Sequence, residues 1–397
     1  QSIFNLESLY LASPPSSNLI PILGIYLILS PWILEIFISQ YYHLDKFPQD
    51  RLDRYPETCE TINKYCQKYH RSQPQFKIIQ TQIPLLLTYG IPFKTRIVIS
   101  NGLLQCLTDE ELAILYATQL GYLLNGDVPL MSLLMTLLQI PYLIYWQLGS
   151  LGEQFKSPLL RRPLAWLAAL FYGLYWFWKW PTLWLSRQRV YDSDRFAIEL
   201  TKNPNALSRA LLKIAIAISE QIVKSGYTPR ILESFDLLLP VDVQQVLSLG
   251  SLSPEIPFST VIQWDYTNPQ RHWLALFSSH PLLGDRLYLL GKCAQFWHLD
   301  PELKLVDAPT SIQNGFWSKI KKCYPTLPLI PQASVFAVAF GIILRCLFWG
   351  IGKLSEHLNY QPLIWMYTSY PLLNAWVGWL VIVLIVFSMV GFFVSID

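Results

Sequence analysis

Five long apolar runs limit this chain's choice of fold more than any other feature. Leu19–Ile38, Val128–Leu148, Pro163–Leu185, Ala333–Ile351 and Leu372–Val394 each approach or exceed the ~20 residues that carry a helix across a bilayer. In hydrocarbon a single segment can satisfy its own backbone groups only as a helix. Hydrophobic residues make up 52% of the chain and charged ones 14%, against roughly 25% charged in soluble domains. The 15 tryptophans fit rings anchored at a bilayer interface. An integral, multi-pass membrane protein is expected, with the lipid bilayer as its first partner. A net charge of +3, without a basic stripe interleaved with stacking aromatics, excludes nucleic acid as a partner.

The first run exceeds a signal peptide's apolar core and has no basic region before it, so it is expected to be retained. Glu35 is either an intramembrane functional group or an interfacial carboxylate, and its place near the end of the run favours the second. Segment 1–18 has no Lys or Arg and contains the loop-like Pro14-Pro15-Ser16-Ser17. Lys and Arg gather after the first run, which puts the soluble body on the cytoplasmic side. The basic loop with Lys156, Arg161 and Arg162 argues the other way. Within Pro163–Leu185, Phe171–Trp180 reads F-Y-G-L-Y-W-F-W-K-W. An interfacial aromatic belt is the default reading there, and a pigment or lipid site the alternative.

Between the runs the patterning turns mixed and soluble. Pro56–Arg71 predicts an amphipathic helix, and Phe76–Thr81, Leu85–Tyr89 and Arg96–Ser100 predict short strands. Thr108 followed by Glu111 is a capping box, and Asn125-Gly126 is a helix stop, so a helix is expected between them. Its residues Leu112, Leu115, Tyr116, Leu120, Leu123 and Leu124 recur at helical spacing and predict one buried face. Asn203-Pro204 caps another helix. The 6 cysteines form no disulfide-like framework, which suits a reducing compartment. Cys59, Cys66 and His70 have the spacing of a shared helix face, where coincidence outweighs a metal role.

Leu107–Asp127 also resembles the active-site helix of the HtpX and CAAX-prenyl-protease family of membrane zinc metallopeptidases, L-T-x-x-E-L-x-x-x-x-A-H-E-L-G-H-x-x-N-G-D. Leu107, Thr108, Glu111, Leu112, Ala117, Leu120, Gly121, Asn125, Gly126 and Asp127 match it. Thr118, Gln119 and Tyr122 stand where the family has His-Glu-x-x-His. Threonine and tyrosine hydroxyls stay protonated and are poor zinc ligands, and the Gln119 amide lacks the basicity of the family's glutamate. Ser186–Thr201 resembles the second signature, R-x-x-E-x-x-A-D-R-x-A, on Asp194, Arg195 and Ala197. Its zinc-binding glutamate then falls on Val190. Leu276–Leu287 resembles L-F-S-T-H-P-P-x-x-x-R-I and retains His280 and Arg286, which in the family help stabilise the reacting carbonyl.

The resemblance implies an α+β membrane protein: a mainly helical, zincin-like (gluzincin) soluble domain with a small β-sheet and about five transmembrane helices. The expected order is an N-terminal segment 1–18, a first span 19–38 and half of the zincin-like domain at 39–127. A transmembrane hairpin 128–185, the second half 186–330 and a C-terminal pair of spans within 331–397 follow. Leu85–Tyr89 matches the family's edge strand, which pairs with extended substrate. A substrate-like groove and an ordinary sheet edge are both open readings there. Asp194 orients a zinc histidine in the family and is expected here to accept a hydrogen bond or pair with an arginine.

The implied function is a catalytically inactive pseudoprotease, with zinc lost and no other cofactor. It binds a membrane-protein partner during the assembly, stability or quality control of a membrane complex. Two alternatives remain: an active peptidase with a rearranged site using Asp192, Asp194 or His280, and a structural subunit of a membrane complex.

Overall fold

The computed structural model describes residues 16–48, 53–91, 94–155, 157–250, 258–268, 271, 275, 277–303, 349–350, 353 and 356–357. Two compact units divide the chain, Ile20–Pro309 in one and Gln1–Leu19 with Thr310–Asp397 in the other. In the second, Lys353 pairs with Glu356 at 3.1 Å. Segment 1–15, the expected span Leu372–Val394 and all of Ala333–Ile351 except residues 349–350 lie outside the described residues.

Helix α1 spans Ser16–Tyr41, and strand β1, Leu44–Lys46, follows it. Helix α2 covers Pro56–Tyr69, close to the predicted range. Strands β2 (Gln75–Ile79), β3 (Leu86–Ile91) and β4 (Lys94–Ser100) match the three predicted strands within two residues. They form a mixed sheet of order β1-β2-β4-β3, with β2 and β4 parallel and the other pairs antiparallel. Gly90 holds φ +146° in the β3–β4 hairpin, where a Cβ would lie 2.6 Å from the Lys94 carbonyl oxygen.

A short helix α3, Asn101–Cys106, leads into α4, Asp109–Asn125. Both halves of the Thr108–Glu111 capping box form, and Gly126 ends α4 in the left-handed region. Periodicity predicted one buried face, but every residue from Glu111 to Tyr122 is buried. The reason is position. Helix α4 is central, packed against α2, the long helix α6 (Pro158–Thr201) and helix α7 (Pro204–Ser225). Its buried carboxylate, Glu111, is compensated by Lys213 at 2.8 Å and Arg209 at 3.4 Å.

Helix α5, Asp127–Gln154, and helix α6, Pro158–Thr201, pack together as a helical hairpin at the place where a transmembrane hairpin 128–185 is expected. Helix α6 continues for 44 residues through both the aromatic cluster and Ser186–Thr201. Among the described residues only α5 is long and apolar enough to cross a membrane. Trp, Tyr, Pro and Lys179 lower the apolarity of α6. One helix therefore stands behind the expectation of five spans. Helices α7, α8 (Arg230–Ser234), α9 (Val243–Gly250), α10 (Phe258–Thr267) and α11 (Leu283–Phe296) complete the described part. A 3₁₀ turn, Asp236–Leu238, lies between α8 and α9. The fold is thus α+β, mostly helical with one small mixed sheet.

Tyrosines tie the hairpin to the 230–242 segment. Tyr142 and Tyr172 donate to the two Glu233 carboxylate oxygens at 3.0 Å each, and Tyr175 donates to the Glu233 carbonyl. Buried Lys179 pairs with buried Asp236 at 2.8 Å. Much of the aromatic cluster is therefore internal packing rather than an open ligand surface. Glu35 binds Lys77 and Arg96, both on the sheet, so its carboxylate is ion-paired.

Candidate functional site

Helix α4 places Thr118, Gln119 and Tyr122 in the middle of the body, where α6 crosses it. Gly121 makes the close crossing possible, since a Cβ there would lie 3.1 Å from both Ser193 Cα and Phe196 Cδ1. Thr118 is buried and donates to the Leu115 carbonyl at 2.7 Å. Gln119 accepts from Thr88 of β3 at 2.7 Å, which ties α4 to the edge strand. Tyr122 packs with Val128 and Val190 in a small apolar cluster. Burial raises the Tyr122 phenol, and although Arg189 pulls it back the phenol remains protonated.

Helix α6 supplies Val190, fully buried, and Asp194. The Arg286 guanidinium grips Asp194 through Nε and Nη2, each at 2.8 Å, and donates to the Pro240 carbonyl at 2.6 Å. Burial raises the Asp194 carboxyl against the pull of Arg286. Burial likewise works against the Arg286 charge, but Asp194 more than restores it, so the guanidinium pKa ends above its ordinary value. The two-point fork is the geometry of an ionised pair.

His280 is buried, with Ser279 Oγ at 2.8 Å from Nδ1 and the Leu239 carbonyl at 2.5 Å from Nε2. A neutral ring that donates from Nε2 and accepts at Nδ1 satisfies both contacts. Burial drives its pKa down to about 3. Asp192, the candidate for a displaced ligand, is exposed on α6. His70 adopts the left-handed C-cap position after α2 and is exposed, whereas Cys59 and Cys66 are half-buried on that helix.

The edge strand is covered. Leu85, Leu86, Leu87 and Tyr89 have no exposed surface, and α5 packs along β3. Ser132 of α5 accepts from the Gly90 N–H at 2.9 Å, while its own hydroxyl donates to the Val128 carbonyl at 2.7 Å. A backbone position that an extended peptide would pair with is met by the hairpin. Of the two readings of Leu85–Tyr89, the open groove gives way to a sheet edge sealed by the chain's own helix.

The model of peptidase family M48 matches residues 57–293, which takes in β2–β4, the hairpin and all three signatures. The chain belongs to peptidase family M48. Among the relatives of this M48 protein is a protease HtpX homolog of Methanothermobacter thermautotrophicus, 22% identical over 193 residues, covering 48% of this chain and 69% of that one. Protease HtpX homolog 2 of Methanosarcina mazei is 26% identical over 246 residues, covering 60% and 73%. A protease HtpX homolog of Bacteroides fragilis is 30% identical over 166 residues, covering 39% and 51%. No solved structure matches the chain.

The residues of this M48 protein do not fit the zinc ion its family implies. Around α4 and α6 the side chains offer a hydroxyl, an amide, a protonated phenol and a valine, while the retained carboxylate and imidazole are committed to other partners. Among the described residues, no group of three or more His, Cys, Asp and Glu side chains is placed to hold a metal ion.

Sequence reasoning took in Thr88 only as part of the Leu85–Tyr89 strand and missed three partners of this site: Ser132, Arg189 and Asp242. Asp242 is buried and accepts from the Ser279 N–H at 2.8 Å. Burial, with Asp236 adding to it, raises the Asp242 carboxyl to about 6. Only Arg189 carried a sequence signal, as a cation directly before the position aligned with the third ligand.

Proposed function

We propose that this chain is a membrane-embedded M48 pseudoprotease that holds a membrane-protein partner instead of cutting it, in the assembly, stability or quality control of a membrane complex. The observation that carries the reading is the chemistry at Thr118, Gln119, Tyr122 and Val190, which stand where the family's two histidines, glutamate base and third ligand are expected. Zinc, and with it the activated water, is lost in this reading. An active enzyme using Asp192, Asp194 or His280 has little support. Asp192 faces solvent, Arg286 holds Asp194, and both ring nitrogens of His280 are engaged.

The protein is multi-pass in this reading, with about five spans and its soluble body on the cytoplasmic side. The sealed edge of β3 argues against partner capture by strand addition, so the partner is met on the membrane-facing helices. Exposed apolar side chains there, including Ile36 on α1 and Trp166 and Leu170 on α6, support that route.

Elemental analysis of the detergent-purified, tag-free chain tests the reading, together with peptide hydrolysis assayed with and without added zinc. Zinc far below one atom per chain, no hydrolysis and a stoichiometric membrane partner after crosslinking are expected. Zinc near one atom per chain, lost in Asp192→Ala or Asp194→Ala, would overturn it.

A further inference from the structure

The disagreement between the implied metal and the residues present has a physical centre in Arg189. Its side chain is 4% exposed on α6, one position before Val190. The guanidinium carbon lies 4.5 Å from the centre of the Tyr122 ring. Nη2 donates to the Leu237 carbonyl in the 3₁₀ turn, and Nε is buried without a partner. Arg189 also lies within electrostatic reach of Asp127 and His280. Tyr122 and Asp127 belong to the first signature and His280 to the last. Arg286 also reaches Tyr122 and His280, but its charge is matched by the fork on Asp194, whereas the Arg189 guanidinium, packed on the Tyr122 ring, has no carboxylate in a hydrogen-bonded pair among the described residues.

Burying a cation is costly unless its surroundings compensate it. Here the compensation is specific: an aromatic face, a carbonyl oxygen and the field of Asp127. Burial lowers the Arg189 pKa, yet a guanidinium starts so high that it keeps its proton. The charge is therefore permanent. A divalent ion brought beside it would meet like-charge repulsion in a medium that screens poorly.

We infer that Arg189 is the resident cation of this site: its guanidinium takes the place of the metal and excludes a divalent ion from between α4 and α6. The inference rests on the pseudoprotease reading and goes beyond it, since loss of ligands alone would leave a site that ligand restoration repairs. Here restoration fails while Arg189 stays.

The test is a full-length chain carrying Thr118→His, Gln119→Glu, Tyr122→His and Val190→Glu, prepared with Arg189 intact and with Arg189→Leu. Zinc is the probe, read by elemental analysis and by competition against a chromogenic chelator. With Arg189 intact, binding should be at least tenfold weaker than with Arg189→Leu, which should approach one zinc per chain. Equal affinity in the two proteins would overturn the inference. A four-residue variant that fails to fold gives way to Tyr122→His with Val190→Glu, again with and without Arg189→Leu. Its readout is the shift of the unfolding midpoint on adding zinc. A rise confined to the Arg189→Leu protein supports the inference, and equal shifts, including none in either, overturn it. Zinc in the unaltered chain is a separate result and bears on the pseudoprotease reading.

Discussion

At the scale of single residues, buried charge separates what is fixed from what is replaceable. Arg286→Met strands the Asp194 carboxylate in the core, and breaking a buried pair this way costs about 3–5 kcal/mol. Asp194→Leu combined with Arg286→Met should cost less than Arg286→Met alone, as read by denaturant unfolding followed through tryptophan emission. His280 adds a pH signature. Its folded pKa of about 3 lies below the ~6.5 of an unfolded histidine. The stability it contributes is complete above pH 6.5 and is lost as pH falls toward 3, by about 1.4 kcal/mol per unit. Between pH 6.5 and 4.5, His280→Gln should lose less stability than the parent chain; parallel curves would refute this. Chain order made Asp194, His280 and Arg286 visible, because each stands inside a recognisable string. It could not show that Asp194 and Arg286 meet across 92 positions, nor that Arg189 turns inward onto Tyr122.

At the scale of elements, α4 was the most legible part because its signals are local. Thr108 with Glu111 and Asn125 with Gly126 lie within one turn of the ends they define. Strand β1 gave no signal, since Leu44–Lys46 is three residues long and two are charged; only its pairing with β2 makes it a strand. The full burial of α4 was equally hidden, because it depends on α2, α6 and α7 closing around it. The α4–α6 crossing carries its own prediction. Gly121→Leu places side-chain atoms where Ser193 and Phe196 already lie and should cost about 1–3 kcal/mol or more. Gly126→Ala meets open space and only the strain of φ +78°, worth about 1–2 kcal/mol. The first should therefore lower the unfolding midpoint more; the reverse order would mean that the crossing is looser than the geometry indicates.

At the scale of the whole molecule, the apolar runs forecast a membrane protein, and the described part leaves large apolar side chains facing outward. Trp166 is 78% exposed, Ile36 63% and Leu170 58%. In vesicles containing brominated acyl chains, tryptophan emission should be quenched, and Trp166→Ala should reduce the quenched fraction; an unquenched parent would count against the bilayer placement. Capture of the 230–242 segment by the hairpin was not legible, because Glu233 and Asp236 find their partners only in three dimensions. That capture has a consequence in time. A ribosome releases Lys179 well before Asp236, 57 residues later, and Arg286 later still. Through that interval the ammonium has no counter-ion and the tyrosines of the hairpin have no carboxylate to hold. The newborn chain is therefore weakest just after its hairpin emerges, and a pause in synthesis before residue 236 would leave it most open to degradation.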